Sequence, residues 1–189
     1  MFLKRDNPYL LVISMTGVKM GDRLVQLGCA HGGRLAAIAG KVGLSGRAVA
    51  VVPDDASAAR ARTGAENAGV LVEIESAPPT RIPAGAGAFD LAIVDETAGL
   101  LANMRPEDRV TAIREIARVL RPGGRVVLIG AAPRGGLGAL LTRAQSGPPF
   151  VSSGQALLAL EAEGFKSARV LAERDGLVFV EGIKPRTKG

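Results

Sequence analysis

Val25-Gln26-Leu27-Gly28-Cys29-Ala30-His31-Gly32-Gly33 decides how this chain is read. An apolar run at residues 23–27 enters it and an Ala-rich run at 34–42 leaves it. A strand, a tight glycine turn and a helix start, in that order, make a nucleotide-binding corner. Glycine lets backbone approach a ligand, and the first turn of a helix offers N–H groups with no intrahelical acceptor. The acidic side chains that usually accompany such a corner are missing here.

Apolar runs at 48–52, 70–75, 91–95 and 125–129 read as further strands, with helical patterns between them. The helix at 34–42 stops at Gly43. Asp54 or Asp55 caps an Ala-rich helix reaching about Ala68. Pro106 opens a helix with Val110, Ile113, Ile116, Ala117 and Leu120 on one face, and Arg121-Pro122-Gly123-Gly124 ends it. Most of these strands are apolar throughout, the pattern of a parallel sheet covered on both faces. Strand and helix in alternation predict a doubly wound α/β fold.

Asn7-Pro8 resembles an N-cap followed by Pro at the first helical position, and predicts an apolar helix ending near Gly21. Residues 130–149, rich in Gly and Pro, hold one short helix at most, at 138–144. Ser152 and Gln155 have capping-box spacing for a helix ending at Gly164. Strands at 167–173 and 177–183 follow, joined by Arg174-Asp175-Gly176. So short a link requires a hairpin, hence antiparallel strands.

The chain has 189 residues, 47% hydrophobic and 22% charged, enough for one domain with a substantial core. Aromatics make up 3%, which argues against a base-stacking platform and makes nucleic acid an unlikely partner. Net charge is +6, from dispersed and mostly Arg residues, the pattern of a solvated surface. Cys29 is the one cysteine, so no intrachain disulfide can form. No apolar run is long enough for a membrane span, and Asp6-Asn7-Pro8 interrupts any signal-peptide pattern at the start. These features predict a cytoplasmic protein. One His and one Cys do not make a usual zinc site, so no metal is expected.

The glycine turn, Phe89-Asp90-Leu91-Ala92-Ile93-Val94-Asp95, the Leu120-Arg121-Pro122-Gly123-Gly124 loop and the closing hairpin together resemble the class I S-adenosylmethionine-dependent methyltransferases. The likeness is nearest to the small-molecule branch of ubiquinone/menaquinone C-methyltransferases. It implies a Rossmann-like methyltransferase fold: a doubly wound, seven-stranded sheet, mostly parallel, with a C-terminal antiparallel hairpin. Residues 1–189 then form a single domain. It divides into an N-terminal helix (1–20), a cofactor-binding core (21–130) and a C-terminal loop, helix and hairpin (131–189).

The resemblance also implies where S-adenosylmethionine binds: Gln26, Gly28, Cys29, Ala30, His31 and Gly32 at the turn, Val52-Pro53 after the second strand, Pro78-Pro79 after the third, and Asp95 after the fourth. Three of these positions lack the acids of the family. Gln26 stands for an acid that meets the cofactor's amino group. Val52 stands for the acid that takes the ribose hydroxyls, and Pro78 for the Asp that meets adenine. A hydrogen bond to a charged group is worth about 1.5–3 kcal/mol. Losing two or three weakens binding by roughly two to six orders of magnitude unless other contacts compensate, so weak or absent cofactor binding is one expectation.

Asp95 and Glu96 are the candidate catalytic residues, at the strand end where this fold places its substrate. The plainer alternative is that Asp95 caps the next turn and Glu96 faces solvent. His31 reads as a cofactor-side or surface residue, and Cys29 as buried packing. The function these features imply is methyl transfer to an unidentified small-molecule or lipid-like acceptor. The alternative is a catalytically inactive methyltransferase-like subunit that binds a protein partner.

Overall fold

The computed structural model describes residues 7–132 and 149–186. The apolar runs form β1 (Arg23–Leu27), β2 (Arg47–Val52), β3 (Glu73–Ser76), β4 (Phe89–Asp95) and β5 (Leu120–Ala131). These five strands pair in parallel. β6 (Lys166–Arg174) and β7 (Leu177–Ile183) add the antiparallel end of the sheet, whose order is β3-β2-β1-β4-β5-β7-β6. The seven-stranded mixed sheet expected from the sequence is therefore present. At the hairpin, Asp175 (φ 53°) and Gly176 (φ 75°) both take left-handed backbone, as a two-residue turn between twisted strands requires.

Strand alternation sorts the core into two layers. Leu24, Leu91, Ile93, Val127, Ile129 and Phe179 meet α1 (Leu10–Thr16) and α2 (Gly32–Val42). Val25, Leu27, Ala92, Val94, Val126 and Leu128 meet α4 (Pro106–Val119) and α5 (Gln155–Ala162). α3 (Asp55–Ala68) packs beside α2, where Ala58 and Ala61 join Cys29, Leu35, Ala50 and Val52. Asp54 caps α3, accepting the Ser57 amide at 2.7 Å, and Pro106 opens α4 at its first turn.

Several boundaries differ from expectation, each for a local reason. α1 ends before Gly17 rather than near Gly21. Gly17 turns left-handed (φ 58°), and its N–H closes onto the Ile13 and Ser14 carbonyls. β3 starts at Glu73 rather than at 70, since the Val70 amide is taken by the Ala65 carbonyl in the stop of α3. β5 starts at Leu120 rather than at 125: Leu120 pairs with Phe89, and a register shift absorbs the following loop. The Ser152 capping box does not form. Gly154 (φ 82°) occupies the N-cap of α5, and Ser152 Oγ is buried without a partner. The helix expected at 138–144 lies outside the described residues.

Candidate active site

β1 lies between β2 and β4, so the chain leaves β1 in one direction for β2 and β3 and returns on the other side as β4 and β5. Crevices at such reversals, beyond the carboxyl ends of the strands, are where open α/β sheets bind ligands. The turn at 28–31 stands at this crevice. Gly28 makes the turn with φ 75°, and its amide bonds to the Val51 carbonyl at 2.8 Å. His31 is the N-cap of α2, its Nδ1 accepting the Arg34 amide at 3.4 Å. The His31 ring meets the edge of Tyr9 at a centroid distance of 5.7 Å.

Asp95 and Glu96 are adjacent in sequence but work on opposite faces of the sheet. Asp95 follows Leu91 and Ile93 towards α2. One of its oxygens accepts the Ala30 amide at 2.9 Å, and the other accepts Arg34 Nη2 at 3.1 Å and the Thr97 hydroxyl at 2.6 Å. Glu96 follows Ala92 and Val94 towards α4. Its carboxylate accepts the Leu101 and Ala102 amides at 2.6 and 2.8 Å. Both acids are buried. Burial pushes the Glu96 carboxyl above its usual pKa, against the pull of those two amides. The expectation of a solvent-facing Glu96 is thus corrected: period-two alternation turns it inward. The turn-capping part of the Asp95 expectation is met through Thr97, and Asp95 also ties the glycine turn to β4.

Gln26 lies in a buried row between Ala50 of β2 and Ile93 of β4. Its Nε2 donates to the Gly28 carbonyl at 3.0 Å, while Oε1 is buried without a partner. Cys29 and Val52 share one apolar cluster under α2 and α3. Burial holds the Cys29 thiol protonated, its pKa pushed up to about 11, as fits a packing residue. Ala30 and Gly32 are half-buried, Pro53 and Pro78 are exposed, and Pro79 is buried. The Ala77 amide bonds to the Val52 carbonyl at 3.0 Å, which sets the β2 and β3 ends side by side. The structure thus bonds Gln26 to Gly28 and Ala30 to Asp95 and places the two proline segments on the neighbouring strand ends.

Other residues of the site were not singled out from sequence. Arg34 stands in the first turn of α2, where the helix dipole favours acids. A lone Arg there was a readable sign that a partner acid lay close by. Arg60 donates from Nε to the Cys29 carbonyl at 2.8 Å, holding the turn from α3. Leu100 covers Gly28: a Cβ there would lie 2.9 Å from Leu100 Cδ2. Leu100 and Arg60 carried no local signal, since each reaches the turn only through tertiary structure.

These residues fit an adenosyl amino acid. The unpartnered Gln26 Oε1 is an acceptor awaiting an N–H donor. The turn offers first-turn amides of α2, and Pro53 and Pro78 lie exposed beyond the neighbouring ends of β2 and β3. Among the described residues, no helix is long and apolar enough to cross a membrane.

A family model described as a methyltransferase domain matches residues 25–128, from β1 to β5. The methyltransferase GfsG of Streptomyces halstedii is 29% identical over 164 residues, covering 87% of this chain and 55% of that protein. The chain spans about half or less of the length of the curated relatives it matches. Among solved structures, a SAM-dependent methyltransferase from Aquifex aeolicus superposes with a TM-score of 0.73 at 20% identity, over 94% of this chain and 89% of that one. PigF with SAH superposes with a TM-score of 0.66 at 20% identity, over 92% and 54%. At such identities the structures speak for the fold, and the family match shows the membership: this chain belongs to the methyltransferase domain family.

Proposed function

We propose that the chain binds S-adenosylmethionine at the β1–β4 crevice and transfers its methyl group to a small or lipid-like acceptor, in the manner of the ubiquinone/menaquinone C-methyltransferase branch. The observation that carries this reading is the glycine turn locked to Asp95 at the sheet's reversal point, inside the segment that matches the family. When bound, the donor supplies an electrophilic methyl group on a sulfonium sulfur. Gln26 Oε1 and the amides of the turn hold its amino-acid end, while Val52-Pro53 and Pro78-Pro79 flank the nucleoside. Such chemistry depends chiefly on positioning and water exclusion, and Leu100 and the buried strand ends provide both. Asp95 fixes the turn through the Ala30 amide, with Arg34 and Thr97 as its other partners. Glu96 shapes the following loop through the Leu101 and Ala102 amides. A single cytoplasmic domain belongs to the same proposal.

Calorimetric titration with S-adenosylhomocysteine tests it. Micromolar binding is expected, with a rise in Tm at saturating ligand. No heat and no Tm shift at millimolar ligand would instead favour the reading as an inactive subunit that binds a protein partner.

A further inference from the structure

The amino ends of β2 and β3 carry an apolar patch that the crevice does not use. Among the described residues, Met20, Leu44 and Leu71 stand 76%, 90% and 79% exposed, high for large apolar side chains. Leu44 and Leu71 border one hollow of about 310 Å³, which the buried Ala39, Val42 and Ala48 also line. Met20 adjoins them: a Cβ on Gly43, next to Leu44, would lie 3.7 Å from Met20 Cγ. Exposed apolar groups gathered in this way, with polar residues at the rim, mark contact surfaces between proteins. The hollow is a poor small-molecule site. The charged side chains that line it, Arg47 and Glu73, already satisfy each other through bonds of 2.8 and 2.6 Å.

We infer that this patch pairs with the same patch of a second copy of the chain, about a two-fold axis that passes between Arg47 and Glu73. A two-fold contact requires one patch to complement itself. This one does so twice. It carries a projection and a recess side by side: Leu44, in the turn between α2 and β2, and the hollow. It also carries one charge of each sign, on Arg47 and Glu73, each side chain about half exposed. The axis sets Arg47 of each copy against Glu73 of the other, and Leu44 of each against the other's hollow. A strongly basic or strongly acidic partner meets no matching excess of charge in that lining. The outer edge of β3 is not the contact. Glu73 and Glu75 are both exposed on it, and charges on an edge strand oppose pairing with a further strand. The patch lies at the opposite end of the sheet from the glycine turn, so the contact covers neither crevice and the inference stands apart from the cofactor reading.

Sedimentation velocity of the full chain across the micromolar range tests it. The unaltered protein is expected to run as a dimer in reversible exchange with monomer. Leu44→Asp brings a charge to the other copy's hollow and weakens the dimer by about thirtyfold or more, as the loss of one hot spot does. Arg47→Glu and Glu73→Arg each set like charges across the axis and give monomers. Circular dichroism shows each to be folded, since an exposed ion pair adds little to stability. Mixed in equal amounts, these two variants form a heterodimer, because each charge then meets its opposite in the other chain. The pair within each chain stays broken, so only a contact between chains produces that rescue. Three results each overturn the inference: an unaltered protein that stays monomeric throughout, a dimer that Leu44→Asp leaves intact, or charge variants that stay dimeric alone or fail to associate on mixing.

Discussion

Gly32 and Gly64 face each other backbone to backbone where α2 crosses α3. A Cβ at Gly64 would fall 2.6 Å from Gly32 Cα and closer still to its carbonyl group. The contact explains a glycine in the middle of α3, where alanine would by propensity be better by about 1 kcal/mol. Here the obstacle is main chain at the first turn of α2 and cannot swing aside. Gly64→Ala is therefore destabilising, by about 1–3 kcal/mol. In a chain of this size that lowers Tm by roughly 2–4 °C per kcal/mol. Differential scanning calorimetry checks the sign, which propensity alone gets backwards.

The Arg109 guanidinium lies 4.7 Å from the centre of the Phe150 ring. It also donates to the Leu101, Ala102 and Met104 carbonyls at 3.0–3.3 Å. One side chain thus joins the loop after β4 to the segment before α5. Arg109→Ala removes charge-assisted bonds worth about 1.5–3 kcal/mol apiece in buried settings, less where water can replace them, and a cation–π contact of about 0.5–1 kcal/mol. We expect a net loss near 2 kcal/mol and faster amide exchange at residues 101–104, read by hydrogen–deuterium exchange. Arg109→Lys restores the charge but not the planar fork, so it recovers less than half of the loss.

Asp90 gives a pH dependence of definite sign. Its carboxylate accepts the Arg23 amide at 2.9 Å, a paired bond from the Arg23 guanidinium at 3.1 Å, and Arg121 Nε at 2.6 Å. Arg23, then Arg121, hold it far below the usual carboxylate range. A depressed acid contributes stability that is fully present above its unfolded pKa, near 4, and is lost as pH falls towards the folded value. Asp90→Asn should therefore be less stable at pH 7, by about 1.5–3 kcal/mol. The gap to the unaltered protein should narrow steadily below pH 4. Urea denaturation at pH 7, 4 and 3 measures it, and a gap that stays constant with pH would exclude the charge as its source.

Much of the fold was legible because its signals are local: apolar strands, Asp54 and Pro106 at helix starts, and Asp175-Gly176 at the hairpin. The glycine turn between β1 and α2 was legible for the same reason. What stayed hidden depended on facing direction and distant contact. Glu96 looked solvent-facing because adjacent charged residues at a strand end carry no mark of which one turns under α4. Ser152 looked like a cap because its spacing to Gln155 is right, but the left-handed Gly154 takes the N-cap instead. Arg34, Arg60 and Leu100 reach the turn from separate elements, and only Arg34 left a trace, as a cation at the wrong end of a helix.

Gln26 offers a last prediction, because restoring the family's acid there sets folding against binding. In the free protein, Gln26 Nε2 donates to the Gly28 carbonyl within a fully buried row. Gln26→Glu loses that donor and sets a carboxylate against a carbonyl oxygen, so the carboxyl stays protonated well above its usual pKa. An acid raised by folding costs stability as pH rises through the unfolded value towards the folded one. The variant should thus be nearly as stable as the parent at pH 4 and weaker by about 1–3 kcal/mol at pH 7. A bound ammonium group would relieve that cost by pairing with the carboxylate. Saturating S-adenosylhomocysteine should then raise the Tm of Gln26→Glu more than that of the parent at pH 7. Equal shifts in the two proteins would mean that residue 26 does not meet the ligand's amino group.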